Sequence, residues 1–185
     1  MTAGSAAAIV RPVAAADFAQ WLPLWDGYNA FYGRAGLSAL AAEITWTTWL
    51  RFLDPREPVH ALVAEARGQL VGLAHYLFHR STIRIELVCY LQDLHTAESA
   101  RGQGIGRALI GGVAEHAQAA GSTRLYWQTH ESNDSARRPL RRRRGALRIH
   151  RLSARALDIM AWPTVWSQAS SCDAGSGLSP ISWVA

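Results

Sequence analysis

The 185-residue sequence contains no lysine; all 19 of its basic residues are arginine. Arginine has GC-rich codons and lysine has none, so this absence reports a GC-rich coding sequence. Acidic residues are also scarce, but only toward one end. Residues 1–136 carry 10 Arg against 12 Asp plus Glu, a net charge of −2, and residues 137–185 carry 9 Arg against 2 Asp, a net +7. The overall +5 therefore belongs to the last quarter, and it gives no support to a basic nucleic-acid-binding body. Cysteine is limited to Cys89 and Cys172, which form neither a metal spacing nor a disulfide framework. A reducing, cytoplasmic setting is the expectation. The seven histidines show no zinc-ligand spacing, so no metal is expected. No apolar stretch reaches membrane-spanning length, and "MTAGSAAAIVRP" lacks the basic start of a signal peptide.

What remains reads as one α/β domain. Hydrophobic content of 49% against 18% charged suits a packed chain of this length. "AAIVRPV" is a short strand ended by Pro12. "AADFAQWLPLWDGYNAFYGR" is a helix whose Trp21, Trp25, Tyr28 and Tyr32 form one stripe. That stripe reads foremost as core, with the wall of a pocket as its alternative. "SALAAEITWTTWLRFLDP" is a second helix stopped at Pro55. "HALVAEARGQLVGLAHYLFHR" alternates like two strands joined at Arg67-Gly68, and "RIELVCYLQDLHT" is a third long strand. A glycine-rich turn then feeds a helix with Ile105, Leu109, Ile110, Val113 and Ala117 on its apolar face, followed by the strand "TRLYWQTHE". The expected order is βααβββαβ around one mixed central sheet flanked by helices.

The stretch with chemistry in it is "YLQDLHTAESARGQGIGRALIGGV". A helix N-terminus offers unpaired backbone N–H groups and the positive end of its dipole. Gly102, Gly104 and Gly106 let a phosphate approach that backbone, and Arg101 and Arg107 add positive charge. "GQGIG" lacks the Gly-x-Gly-x-x-Gly register, and no Gly-Lys-Ser/Thr follows, so neither a Rossmann turn nor a P-loop is present. A pyrophosphate cradle and a ligand-free glycine turn are the two readings that spacing leaves open.

"LHTAESARGQGIGRAL" resembles the acetyl-CoA signature of the GCN5-related N-acetyltransferases, with Arg101, Gly104 and Gly106 in the signature positions. The resemblance covers about residues 8–138. It implies an acetyl-CoA-dependent N-acetyltransferase acting on a primary amine of a small molecule, such as a polyamine or an amino-acid derivative. It places the pantetheine arm in a gap beside the fourth strand, against the backbone of Leu94 and Thr96. The remaining cofactor contacts then fall on Arg101, Gly102, Gln103, Gly104, Ile105, Gly106 and Arg107, with Asn133 as a cofactor or acceptor contact. The "YLQDL" strand is similar to the small-amine and polyamine branch. There Asp93 is the catalytic candidate, as amine orienter or as base through water. Gln92 stands where that branch often carries an acid, and it cannot take a proton. Asp26 and Glu43 could hold an ammonium but read more simply as solvated helix charges. His95 and His130 are proton carriers by pKa, with a structural role as the commoner alternative for a lone strand histidine.

After Arg138 the pattern fails. The family's usual acid is a Tyr in the helix that follows the Asn-bearing loop. "SARRPLRRRRG" has no Tyr and holds a helix-breaking Pro139. A one-base frame error accounts for this. With synonymous codons chosen to suit, the segment from Pro139 reads Leu-Tyr-Asp-Ala-Val-Ala-Ala-Arg-Ser-Gly-Phe-Ile-Val, an amphipathic helix with a Tyr where Leu140 now stands. Residues 1–138 are thus taken as the acetyl-CoA-binding domain and 139–185 as a basic, irregular tail, with the last helix and strands disrupted. An Arg-rich nucleic-acid stripe is the rival reading. Pro139 and Gly145 interrupt it, and no aromatic lies between Arg137 and Arg151, so nucleic acid is not the expected partner. A third alternative is an acyl-CoA-binding module with weak or no turnover. A membrane partner is not expected, and a homodimer is compatible with the sequence.

Overall fold

Two residues with positive φ, Arg67 at 53° and Gly68 at 75°, turn the chain between β2 (Val59–Ala66) and β3 (Gln69–Ser81). A two-residue turn of this hand matches strand twist and fixes the hairpin register, so that Ala66 faces Gln69. The computed structural model describes residues 8–130 and 148–154. In it β1 (Ile9–Pro12), β2, β3 and β4 (Arg84–Thr96) form antiparallel neighbours. β5 (Arg124–His130) runs parallel to β4, and β6 (Arg148–Ala154) parallel to β5, giving a six-stranded mixed sheet in the order β1-β2-β3-β4-β5-β6.

Helices cover both faces. α1 (Phe18–Phe31) follows a short 3-10 turn at Ala15–Asp17, and α2 (Ala42–Leu53) ends before Pro55. Their face of the sheet is an aromatic core of Trp21, Trp25, Tyr28 and Trp49 over Val63 and Leu73. The stripe read from the sequence is core at Trp21, Trp25 and Tyr28, whereas Tyr32 is exposed. α3 (Ile105–Ala119) buries Ile105, Leu109, Val113 and Ala117 on the opposite face, against Leu62, Ala74, Leu91 and Leu125. Alternation along the strands divides their side chains between these two cores.

The order βααβββαβ holds through β5. β6 lies in a segment whose sequence shows no clean period. An edge strand held by one ladder needs no alternating pattern, because its backbone pairing with β5 places it. The remainder of residues 139–185, and the postulated frame error with its Leu140 position, lie outside the described residues.

Candidate active site

Two features of β4 organise the site. Tyr76 on β3 pairs with Leu91 and His75 with Asp93, so Gln92 is an extra residue, a bulge in β4. On the other edge, pairing with β5 stops at Leu91↔Trp127. Gln92–Thr96 therefore have no β5 partner, while β5 continues along β6 to His130↔Ala154. The last third of β4 is a strand with one edge unpaired, beside a gap between two strands that are parallel until that point.

Asp93 faces α1 and α2 from this segment. It is 6% exposed, and its Oδ2 lies 3.0 Å from Nδ1 of His75, itself 3% exposed. Trp21 donates its indole N–H to His75 Nε2 at 3.0 Å. An indole nitrogen can only donate, so Nε2 is the bare acceptor and the ring proton sits on Nδ1, donated to Asp93. The imidazole is therefore neutral. Phe52 packs against it with ring centroids 4.4 Å apart. Burial first, then the nearby Asp93 charge, push the Tyr28 hydroxyl far above its ordinary range, so it remains an O–H donor.

His75 and Asp93 form part of the floor of a cavity of about 410 Å³ walled by α1, α2 and their connection. Trp25, Leu40, Ile44 and Phe52 give it apolar sides, and Arg34 and Arg51 give it positive charge. Gln92, at the bulge, also lines it. Asp26 and Glu43 are exposed elsewhere, as solvated helix charges. His95 is half-buried against α1, where a Cβ on Gly27 would stand 3.1 Å from its Nε2. Burial, then the Arg101 charge, lower its pKa and favour the neutral ring.

The glycine turn lies at the end of β4, on the α3 side. Gly102 and Gly104 have φ of 77° and 83°, a backbone region that other residues enter at a cost. Gly104 caps α3, and the first intrahelical donor is the N–H of Ala108, bonded to Gly104 O at 3.0 Å. The N–H groups of Ile105, Gly106 and Arg107 are therefore left over. No acidic residue lies in this first turn, and no atom lies within 4 Å of where a Cβ on Gly102 or Gly104 would sit. A Cβ on Gly106 would stand 3.8 Å from Thr96 Oγ1 and 3.9 Å from Leu94 Cδ2, so the helix start abuts the unpaired end of β4. Positive charge and open backbone donors next to a strand gap fit a diphosphate and its extended thiol arm. Individual contributions differ. Ile105 is buried in the core and can offer only its N–H. Gln103 donates to Ser99 O, and Arg101 pairs with Glu98 at 3.1 Å in an exposed bridge, leaving Arg107 as the exposed cation in the turn without an ion pair among the described residues. Asn133 and the side chain of His130 lie outside what is described.

The model of the acetyltransferase (GNAT) family matches residues 21–146. The chain belongs to this family. It is 33% identical over 130 residues to the D-amino-acid N-acetyltransferase HPA3 of Saccharomyces cerevisiae, covering 69% of this chain and 78% of the relative. Solved structures share the fold at lower identity. A soil-metagenome aminoglycoside acetyltransferase in complex with sisomicin gives a TM-score of 0.58 at 19% identity, over 70% of this chain and 82% of that one. The aminoglycoside N-acetyltransferase AAC(6')-Iy in complex with CoA gives 0.59 at 16%, over 74% and 85%. GNAT enzymes use acetyl-CoA as cosubstrate, and the donor set at the start of α3 fits its diphosphate.

In this GNAT chain, sequence reasoning singled out Asp93 as a candidate but not the side chains that the fold places beside it. His75 lies on the adjacent strand, in the apolar run "LVGLAHYLF". The available signal was a polar residue at an inward-facing register position. Arg34 and Arg51 carried no motif at all; only the fold brings them to the cavity of Asp93. Among the described residues no group of His, Cys, Asp and Glu could hold a metal ion, and no helix is long and apolar enough to cross a membrane.

Proposed function

We propose that this protein transfers the acetyl group of acetyl-CoA to the primary amine of a small molecule, with Asp93 as the residue that receives the amine. The carrying observation is the burial and hydrogen bonding of Asp93. A carboxylate 6% exposed is hydrogen-bonded to a neutral imidazole, which orients it without cancelling its charge. A buried anion of this kind calls for a cation, and an entering ammonium supplies it. The cavity lies on the α1–α2 side of β4, and the glycine cradle lies on the α3 side of the same unpaired segment. That arrangement supports an acceptor and a donor meeting across one strand. The yeast relative, an N-acetyltransferase of D-amino acids by name, supports a small amine acceptor.

Acetyl-CoA supplies an activated acyl carbon, at which the amine nitrogen forms the new N–C bond as the C–S bond breaks. The chain does the rest. Asp93 draws the ammonium to the end of β4 and takes one of its protons, directly or through water, which frees the attacking lone pair; the second proton that nitrogen loses as the amide forms offsets the one taken up by the departing thiolate. The N–H groups of Gln92–Thr96 that point away from β3 have no β5 partner and would be available to stabilise charge developing on the carbonyl oxygen. Leu94, Thr96 and residues 101–107 hold the cosubstrate.

Calorimetry with acetyl-CoA and a thiol-release assay over a panel of amines test the proposal. The chain binds acetyl-CoA. Gly104→Glu abolishes that binding, since it strains a residue at φ 83° and sets a carboxylate among the anion donors. Asp93→Asn keeps binding and loses about 10²-fold or more in kcat/KM. An unaltered chain that does not bind acetyl-CoA would sink the proposal.

A further inference from the structure

We infer that the acceptor is an α-amino acid, or another small amine carrying a carboxylate, and that Arg34 and Arg51 bind this carboxylate while Asp93 takes the amine. The inference rests on the amine-acceptor reading above and narrows it. Among the described residues three charged side chains line the cavity: Asp93 from the sheet, Arg34 from the connection after α1, and Arg51 from α2. Two cations and one anion suit a zwitterion, whose ammonium and carboxylate each find an opposite charge. They do not suit a polyamine, which brings further positive charge against two guanidinium groups. The apolar sides formed by Trp25, Leu40, Ile44 and Phe52 leave room for an apolar side chain.

Arg34 is built as a fixed receptor. Its Nε donates to Asn29 Oδ1 at 2.7 Å. Asn29 is 4% exposed, and its Nδ2 donates to Trp25 O at 2.9 Å, which sets the orientation of the amide. The guanidinium lies 5.9 Å from the Tyr28 ring centroid and 5.5 Å from that of Tyr32. With Nε engaged, the two terminal nitrogens form a fork, and among the described residues no carboxylate takes it. Such a fork matches a carboxylate end-on. Arg51 is exposed on the last turn of α2 and makes no ion pair among the described residues.

Steady-state kinetics on the full chain test the inference. The acceptors are leucine and phenylalanine of both hands, their carboxylate-free counterparts isopentylamine and phenethylamine, and spermidine. The amino acids exceed the matched amines in kcat/KM by about ten- to hundredfold, and Arg34→Gln raises their KM by a similar factor with little change in kcat. Arg34→Lys recovers part of the loss. Arg51→Gln, at an exposed position where no hydrogen bond is broken, raises the same KM several-fold and guards against a folding artefact at Arg34. Matched amines or spermidine performing as well as the amino acids overturn the carboxylate site and leave acetyl transfer standing. So does an amino-acid KM indifferent to both substitutions. If no acceptor turns over, calorimetry of amino-acid binding decides: binding to the unaltered chain that is lost in Arg34→Gln supports the site, and no binding to the unaltered chain overturns it.

Discussion

Asp93 owes its position to two donors in series, Trp21 to His75 and His75 to Asp93, each at 3.0 Å. A buried carboxylate deprived of its donor bears an uncompensated desolvation cost, and a buried imidazole deprived of its acceptor bears a smaller one. Urea unfolding of His75→Leu, Asp93→Asn and the double variant reads this coupling. The two single losses sum to more than the double loss, with an interaction of about 1–3 kcal/mol. Additivity to within ~0.5 kcal/mol would show that the two residues do not support one another. At this scale sequence reading was uneven for a physical reason. Asp93 is a charge in an apolar strand next to a recognisable loop. Its meaning also depends on a histidine 18 residues away and an indole 54 residues from that histidine, and nothing in local spacing reports such contacts.

Elements were more legible than their irregularities. Periodicity and turn chemistry gave α3 and β1–β5 nearly to their ends, because apolar spacing is what buries each of them, whereas α1 and α2 begin later than the segments read as helices, at Phe18 and Ala42. The bulge at Gln92 could not be read, since it concerns which backbone groups pair across strands; the gap where β4 parts from β5 was implied by the family resemblance and by nothing in the spacing of residues. The junction of β1 with α1 shows a similar long-range tie. Arg11 holds Asp17 with both terminal nitrogens, at 2.6 and 2.9 Å, and reaches Glu65 on β2 at 2.9 Å through Nε. Asp17 also accepts the N–H of Ala14 at 2.7 Å. The Arg11 hydrogen bonds come first among the causes that hold the Asp17 carboxyl below its ordinary range. A depressed carboxylate pKa stabilises the fold above the unfolded value, and that stability disappears as pH falls through the folded value. Asp17→Asn therefore costs about 1.5–3 kcal/mol at neutral pH, and the cost shrinks only below about pH 4. Unfolding curves for both proteins between neutral and acidic pH measure the difference; a gap that is the same at all pH values would mean that Asp17 does not act through its charge.

For the molecule as a whole, charge divides the chain after residue 136, inside the stretch that the family model matches, residues 21–146. The cradle at residues 101–107, Asp93 and the cavity all lie ahead of the step to net +7 beyond residue 136. Among the described residues, the contacts proposed for acetyl-CoA and the amine therefore lie within residues 8–130. Proton delivery to the departing thiolate is a separate requirement, and the resemblance places its usual Tyr where Leu140 stands. We propose that a one-base frame error near Pro139 removed that donor. Two chains decide the matter: the present one, and one carrying the alternative frame from residue 139, with Tyr at position 140. Both bind acetyl-CoA with similar affinity, because the cosubstrate contacts are shared. The second turns over small amines about 10²–10⁴-fold faster, the usual worth of a positioned general acid. Calorimetry and steady-state rates on the same acceptor panel separate the two effects. Equal rates would mean that the thiolate is protonated by a group within residues 8–130 or by water reaching the strand gap, and that the arginine-rich end is irrelevant to the chemistry.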